Sequence, residues 1–264
     1  MYTFDYQRPA TRAEATAAAK GDVRYLAGGQ SLIQAMKLRL SSSEKLIDLG
    51  GIAELKGIKA DAGSVRIGAM TTHAEVARSA DVQKTIPALA ELASHIGDPM
   101  VRNMGTLGGS IANADPAADY PAALVALGAT VHTDRRDIPA DSFFLGLYET
   151  ALQPGELITA VSFPKPQRAA YVKFPQPASR FALVGVFVSQ AAGGVRVAVT
   201  GAKSSVFRAK PIEDALGKSF TAEAAKGVSM PATDINADLH ASAAYRAAMI
   251  SVMASRAVAA ALAR

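Results

Sequence analysis

The run Arg102-Asn103-Met104-Gly105-Thr106-Leu107-Gly108-Gly109-Ser110 constrains this chain more than any other stretch. Three glycines fall between positions 105 and 109, with the hydroxyls of Thr106 and Ser110 among them and Asn113, Asp115 and Asp119 just beyond. Glycine tolerates positive φ and lets a ligand approach the main chain closely. Successive N–H groups in such a turn converge on an anion, and a following helix adds the positive end of its dipole. The run therefore reads as a phosphate cradle, with Asp119 as an acceptor for ligand hydroxyls. A tight turn entering a buried helix is the other reading, because glycine-rich matches also arise by chance.

A second glycine loop lies upstream. Val23 to Ala27 predicts a short strand, which runs into Gly28-Gly29-Gln30-Ser31 and then a helix from Leu32 to Leu40. No Gly-Lys-Ser/Thr follows, so this is not a P-loop, and the GxGxxG spacing of the dinucleotide fingerprint is absent. Alone, it is explained as well by an ordinary strand–helix turn.

Composition removes several classes of chemistry. None of the 264 residues is cysteine, which excludes disulfides, thiol catalysis and cysteine-held iron–sulfur clusters from this chain. His73, His95, His132 and His240 are scattered without ligand spacing, so no metal site is expected. The net charge of +5 is spread along the chain without interleaved aromatics, and no nucleic-acid partner is expected. Arg246 and Arg256 interrupt the most apolar helix, so no membrane span is expected. Met1 to Tyr6 lacks the basic and apolar regions of a signal peptide, which points to a cytoplasmic protein. Ser31 is not set in GxSxG, and no catalytic triad or poised carboxylate pair is visible, so no catalytic residue is assigned.

The remaining chain alternates between strand and helix signals without strict order. An edge strand is expected over residues 1–6. Thr11 and Glu14 open a helix that Gly21 ends. Strands follow at 45–49, 129–132 and 157–163, and a hairpin turns at Ala62-Gly63. Helices are expected at 72–79, at 87–96 and from Pro116 and Asp119 through Ala126. Beyond the linker Pro164-Lys165-Pro166-Gln167 come three strands (170–174, 182–189, 195–200), two short helices (209–216, 221–226) and a long Ala-rich helix from Ser242. The fold class is α+β.

The two glycine loops become specific when taken together, in order. Ala27-Gly28-Gly29-Gln30-Ser31-Leu32, then Ile96-Gly97, then Thr106-Leu107-Gly108-Gly109-Ser110 and Asp115-Pro116-Ala117-Ala118-Asp119 closely resemble the FAD-binding medium subunit of molybdenum hydroxylases. This is the xanthine dehydrogenase and carbon monoxide dehydrogenase family. The likeness continues through Phe143-Phe144, Glu149-Thr150, Pro154 to Ile158 and Tyr171-Val172-Lys173, and covers essentially the whole chain.

That resemblance implies a two-part FAD-binding domain of the PCMH/VAO type, with subdomains at 1–55 and 56–164. A small C-terminal α+β domain at 168–264 would carry a three-stranded antiparallel sheet and helices. It implies FAD on this chain, with Leu26, Ala27, Gly28, Gly29, Gln30, Ser31 and Leu32 forming one loop around the pyrophosphate. Thr106, Leu107, Gly108, Gly109 and Ser110 would form the other, with Asn113 nearby. Asp119 would bond the ribityl or adenosine side, Ile96, Gly97 and Ile158 would adjoin the isoalloxazine, and Lys173 would stand near the cofactor. The implied partners are a molybdopterin-binding large subunit and a small subunit with [2Fe-2S] clusters, with an external electron acceptor. The loop Phe174 to Phe181 departs from relatives in carrying two prolines and no carboxylate, which counts against NAD as that acceptor. The alternative from another class is a standalone flavin-dependent reductase or flavin-binding protein.

Overall fold

The computed structural model describes residues 1–264. It opens with β1 (Asp5–Gln7), α1 (Arg12–Ala18), β2 (Val23–Leu26), α2 (Leu32–Lys37) and β3 (Lys45–Asp48). The strands form a parallel sheet in the order β1-β3-β2, which leaves β1 at an edge as expected. Thr11 caps α1 by accepting the Glu14 N–H at 3.2 Å. Ala15, Ile47, Leu49, Ile52 and Leu55 make a small core here, joined by Met70 and Leu157 from further along the chain.

The middle of the chain continues as β4 (Ile58–Ala60), β5 (Ser64–Gly68), α3 (His73–Arg78), α4 (Ala80–Thr85), α5 (Pro87–Ser94), α6 (Pro99–Met104), α7 (Leu107–Asn113) and α8 (Tyr120–Leu127). It closes with β6 (Thr130–Thr133), β7 (Asp137–Pro139), β8 (Phe144–Gly146), β9 (Glu149–Thr150) and β10 (Ile158–Pro164). Asp61 shapes the β4–β5 turn by accepting the N–H groups of Gly63 and Ser64. Five strands pair antiparallel in the order β4-β5-β10-β6-β7. Their period of two sends Val65, Ile67, Val131, Val161 and Phe163 into the main core. All eight residues of α8 are buried, which suits a helix apolar on every side. Helices α4 and α6 were not expected. Ser79 caps the first, and Asp98 with Pro99 opens the second, but each helix is only 6 residues long, too short to show an apolar period.

The last part holds β11 (Arg168–Pro175), β12 (Ala182–Ala191), β13 (Gly194–Thr200), β14 (Phe207–Arg208), α9 (Lys210–Lys218), α10 (Ala222–Lys226) and α11 (Ala243–Leu262). Its antiparallel sheet has four strands, β11-β12-β13-β14, not the three expected. The added strand is two residues long, too short to show any alternation. Val184, Val186, Val188, Val197 and Val199 meet Ile250, Ala254, Ala257 and Val258 of α11 in one core. Tyr171, Phe187 and Ala198 point the other way and join α8 in the main core. The sheet is thus apolar on both faces and covered on both.

Candidate functional site

Two loops meet in a cleft between the first sheet and the helices of the middle part. Residues 27–31 connect β2 to α2, with Leu26 and Leu32 anchoring the ends. The N–H groups of Gly28, Gly29, Gln30 and Ser31 donate to no acceptor within the chain. Four successive N–H groups without an acceptor in the chain are the donor set that an anion-binding concavity requires. Gly29 sits at φ +72°, where a side chain would be strained. At Gly28 a Cβ would come 2.0 Å from the Met104 carbonyl oxygen, so only glycine lets this loop lie against the second.

In the second loop the backbone N–H groups of Leu107 to Ser110 are engaged within the chain. Thr106 caps α7, its hydroxyl accepting the Gly109 N–H at 3.1 Å. Leu107 donates to the Thr71 carbonyl, Gly108 to that of Ala69 and Ser110 to that of Thr106. These four N–H groups are used inside the chain, so the run does not form an N–H cradle. Leu107 and Gly108 are buried, and a Cβ on Gly108 would meet that of Ala69 at 2.6 Å. Gly109 faces the first loop instead, its absent Cβ 3.2 Å from that of Ala27. The side chains of Ser110 and Asn113 are half-buried and lack partners in the chain. What this run offers a ligand is close approach at Gly109 and two free polar side chains.

A third cluster gathers around the turn His95-Ile96-Gly97. The Lys173 ammonium donates to the carbonyls of His95 and Arg180, both at 2.9 Å, and lies 3.1 and 3.2 Å from the Asp119 carboxylate oxygens. Asp119 has partners within the protein. It is buried, and its oxygens are held by Lys173 and by the Tyr171 hydroxyl, within the protein. Burial raises the Asp119 pKa, with Lys173 and Tyr171 pulling against it. Burial, and then Asp119, push the Tyr171 phenol far up, so it stays a donor. Ile158 is 5% exposed in the main core, and its neighbour Thr159 accepts from Ala69, which in turn accepts from Gly108. Arg102, Tyr171 and Arg180 were not anticipated. Arg102 lies in the last turn of α6, a helix the sequence did not lead us to expect, and the other two depend on contacts across about 50–80 residues.

The free donors on the first loop, the glycine contact between loops and the unpaired Ser110 and Asn113 suit a ligand with a pyrophosphate and hydroxyls. Comparison with known proteins decides which. Residues 2–166 match the model of the FAD binding domain in molybdopterin dehydrogenase. This chain belongs to that family. It is 38% identical to the carbon monoxide dehydrogenase medium chain of Hydrogenophaga pseudoflava, over 99% of this chain and 98% of that one. It is 36% identical to the nicotine 6-hydroxylase medium subunit of Paenarthrobacter nicotinovorans, over 90% and 89%. The structure of quinoline 2-oxidoreductase from Pseudomonas putida 86 superposes with a TM-score of 0.90 at 30% identity, covering 98% of this chain and 97% of that one. The chain is therefore an oxidoreductase subunit with an FAD-binding domain, and the α+β class stands. No helix is long and apolar enough to cross a membrane.

One cluster outside the cleft escaped the sequence. His132 on β6 lies 2.6 Å through Nδ1 from Asp137 on β7 and 2.8 Å through Nε2 from the Ser162 hydroxyl on β10. The contacts follow the order of a serine-hydrolase triad. Ser162, however, sits within a strand paired on both sides, opposite Arg66 and Thr130. A serine held between two paired strands is not presented to a substrate, so the array serves to cross-link the polar face of the sheet.

Proposed function

We propose that this chain is the FAD-carrying, electron-transfer subunit of a three-subunit molybdenum hydroxylase. Its partners would be a molybdopterin-binding large subunit and a small subunit with [2Fe-2S] clusters, and electrons would leave to an external acceptor. The observation that carries this is the run of four unpartnered N–H groups from Gly28 to Ser31 in a chain that belongs to the FAD-binding family. FAD when bound supplies a centre that accepts and delivers electrons singly or in pairs. The chain's own residues bind and orient it. The first loop would receive the pyrophosphate at its N–H groups. Gly109 admits it closely, and Ser110 and Asn113 supply hydrogen bonds from the other side. Lys173, fixed by Asp119, and the turn Ile96-Gly97 would define the ring end. No residue here is assigned a proton transfer.

Relatives matched along nearly their full length are named medium chains or medium subunits. That favours a subunit over a standalone reductase. The partner-facing surface is assigned to the ring end, around Ile96 to Arg102 and Phe174 to Phe181, where Met100 (79% exposed) and Phe181 present apolar area. We place the assembly in the cytoplasm. The test is reconstitution. Acid treatment of the purified chain should release yellow FAD. The loaded chain alone should reduce no dye with an aldehyde or N-heterocycle, and adding the molybdopterin and iron–sulfur subunits should restore dye reduction. Multiple turnovers by the chain alone would make it a standalone enzyme.

A further inference from the structure

Two guanidinium groups converge on one neutral oxygen at the ring end of the cleft. Arg102 Nη1 donates to the Ile96 carbonyl at 3.0 Å and to the Gly97 carbonyl at 3.1 Å. Arg180 Nη1 donates to the same Gly97 carbonyl, also at 3.1 Å. The neighbouring His95 carbonyl holds the Lys173 ammonium, so a cation sits on each of three consecutive carbonyls. Lys173 has Asp119 as its counter-charge. Arg102 and Arg180 have no carboxylate partner, and the Asp98 carboxylate close by is turned to the Val101 N–H at the start of α6.

Two like charges on one uncharged acceptor repel each other, and an anion placed beside them would offset that repulsion. The backbone is set to hold this arrangement. Arg180 occupies the left-handed region at φ +63°, and its own carbonyl is fixed by Lys173. Gly97 sits at φ +50°. Both guanidinium groups are thereby directed to one turn by residues from opposite sides of the cleft.

We propose that Arg102 and Arg180 form a paired-cation site that stabilises the negative charge acquired by the flavin ring on reduction, and so raise its reduction potential. The proposal rests on the preceding one, in which the ring lies beside Ile96 and Gly97. Two electrons from the partner's clusters and one proton leave the ring system with one added negative charge, and the guanidinium pair would complement that charge. A permanent anion, the cofactor's pyrophosphate, is the competing complement, and it makes the opposite prediction. A ring-end pair favours the reduced cofactor selectively, whereas a phosphate pair favours oxidised and reduced forms alike.

Sulfite separates the two. Its sulfur lone pair forms a bond to N5 of the oxidised ring, and the displaced electron pair remains on the ring as one negative charge, with no other oxidant or reductant needed. The full chain loaded with FAD would be titrated with sulfite, following the loss of the visible flavin band. FAD affinity would be measured separately by fluorescence. For Arg102→Gln sulfite should bind about tenfold more weakly, with a smaller loss for the more exposed Arg180→Gln, while FAD affinity stays within about threefold. A tenfold change corresponds to about 30 mV in a two-electron potential. The charge-retaining Arg102→Lys and Arg180→Lys should stay close to the parent. Should Arg102→Gln fail to fold, Arg180→Gln decides alone. Unchanged sulfite affinity in a folded, FAD-loaded variant overturns the proposal. A tenfold loss of FAD affinity without a change towards sulfite also overturns it, and moves the pair to the phosphate. A parent chain that binds no FAD removes the underlying function as well.

Discussion

At the scale of residues, the clearest distinction is between polar groups with a partner in the chain and those without. Ser110 and Asn113 have none, so truncating them should leave stability nearly unchanged. If they bond the cofactor, Ser110→Ala and Asn113→Ala should each weaken FAD binding by about 1 kcal/mol, roughly fivefold. Calorimetric FAD titration beside thermal melts checks both halves, and a fall in melting temperature without a change in FAD affinity would count against the assignment. His73 shows the opposite case. It is 4% exposed, and burial, followed by the charge of Arg102, lowers its pKa to about 4. The unfolded chain takes up this proton near pH 6.5, before the folded chain can. Stability should therefore be undiminished above pH 6.5 and fall as pH drops to 4, by at most about 3 kcal/mol from this group. Chemical denaturation of the parent and His73→Leu at several pH values should show that part of the slope missing from the variant.

At the scale of elements, the cleft depends on how α7 begins. Thr106 holds its first turn through the Gly109 N–H, and that turn places Gly109 against Ala27. Thr106→Ala removes this cap and should cost about 1 kcal/mol of stability. It should also weaken FAD binding, because Gly109 is no longer held. Gly28→Ala acts on the same contact from the other loop. Its Cβ would press into the Met104 carbonyl, which is backbone and cannot rotate away. The two loops would have to separate, and FAD occupancy should fall several-fold in a folded protein. Circular dichroism with flavin-to-protein absorbance ratios tests this, and full occupancy in Gly28→Ala would show that loop contact is not required.

At the scale of the whole molecule, the last part of the chain is bound to the rest by both apolar packing and hydrogen bonds. Tyr171, Phe187 and Ala198 lie in the main core beside α8. The Thr200 hydroxyl reaches the carbonyls of Pro116 and Ala118 at 2.8 and 2.7 Å, and the Gly201 N–H reaches that of Pro116 at 2.7 Å. A chain ending at Gln167 would expose one side of the buried α8 and lack Lys173. It should aggregate or melt well below the full chain, and it should not retain FAD. A soluble fragment 1–167 with full FAD occupancy would show that the third part is dispensable for the site.

Much of the fold was legible locally. Alternation predicted the main strands, Thr11 marked a helix start, and the ordered glycine loops identified the family and its cofactor, because turn chemistry and burial period are written over a few neighbouring residues. The loops' juxtaposition was implied by family likeness, while the use of each N–H was not. Whether Gly108 donates to a ligand or to Ala69 depends on a strand brought in from elsewhere. That Asp119 also accepts from Tyr171 and Lys173, 52 and 54 residues away, was not visible locally. The meeting of Arg102 and Arg180 at Gly97 likewise spans 83 residues on the Arg180 side. Local sequence specifies which groups can bond and how the backbone turns. Only the packed structure decides which partners arrive, because hydrogen-bonding capacity is satisfied across the fold before a ligand can claim what remains.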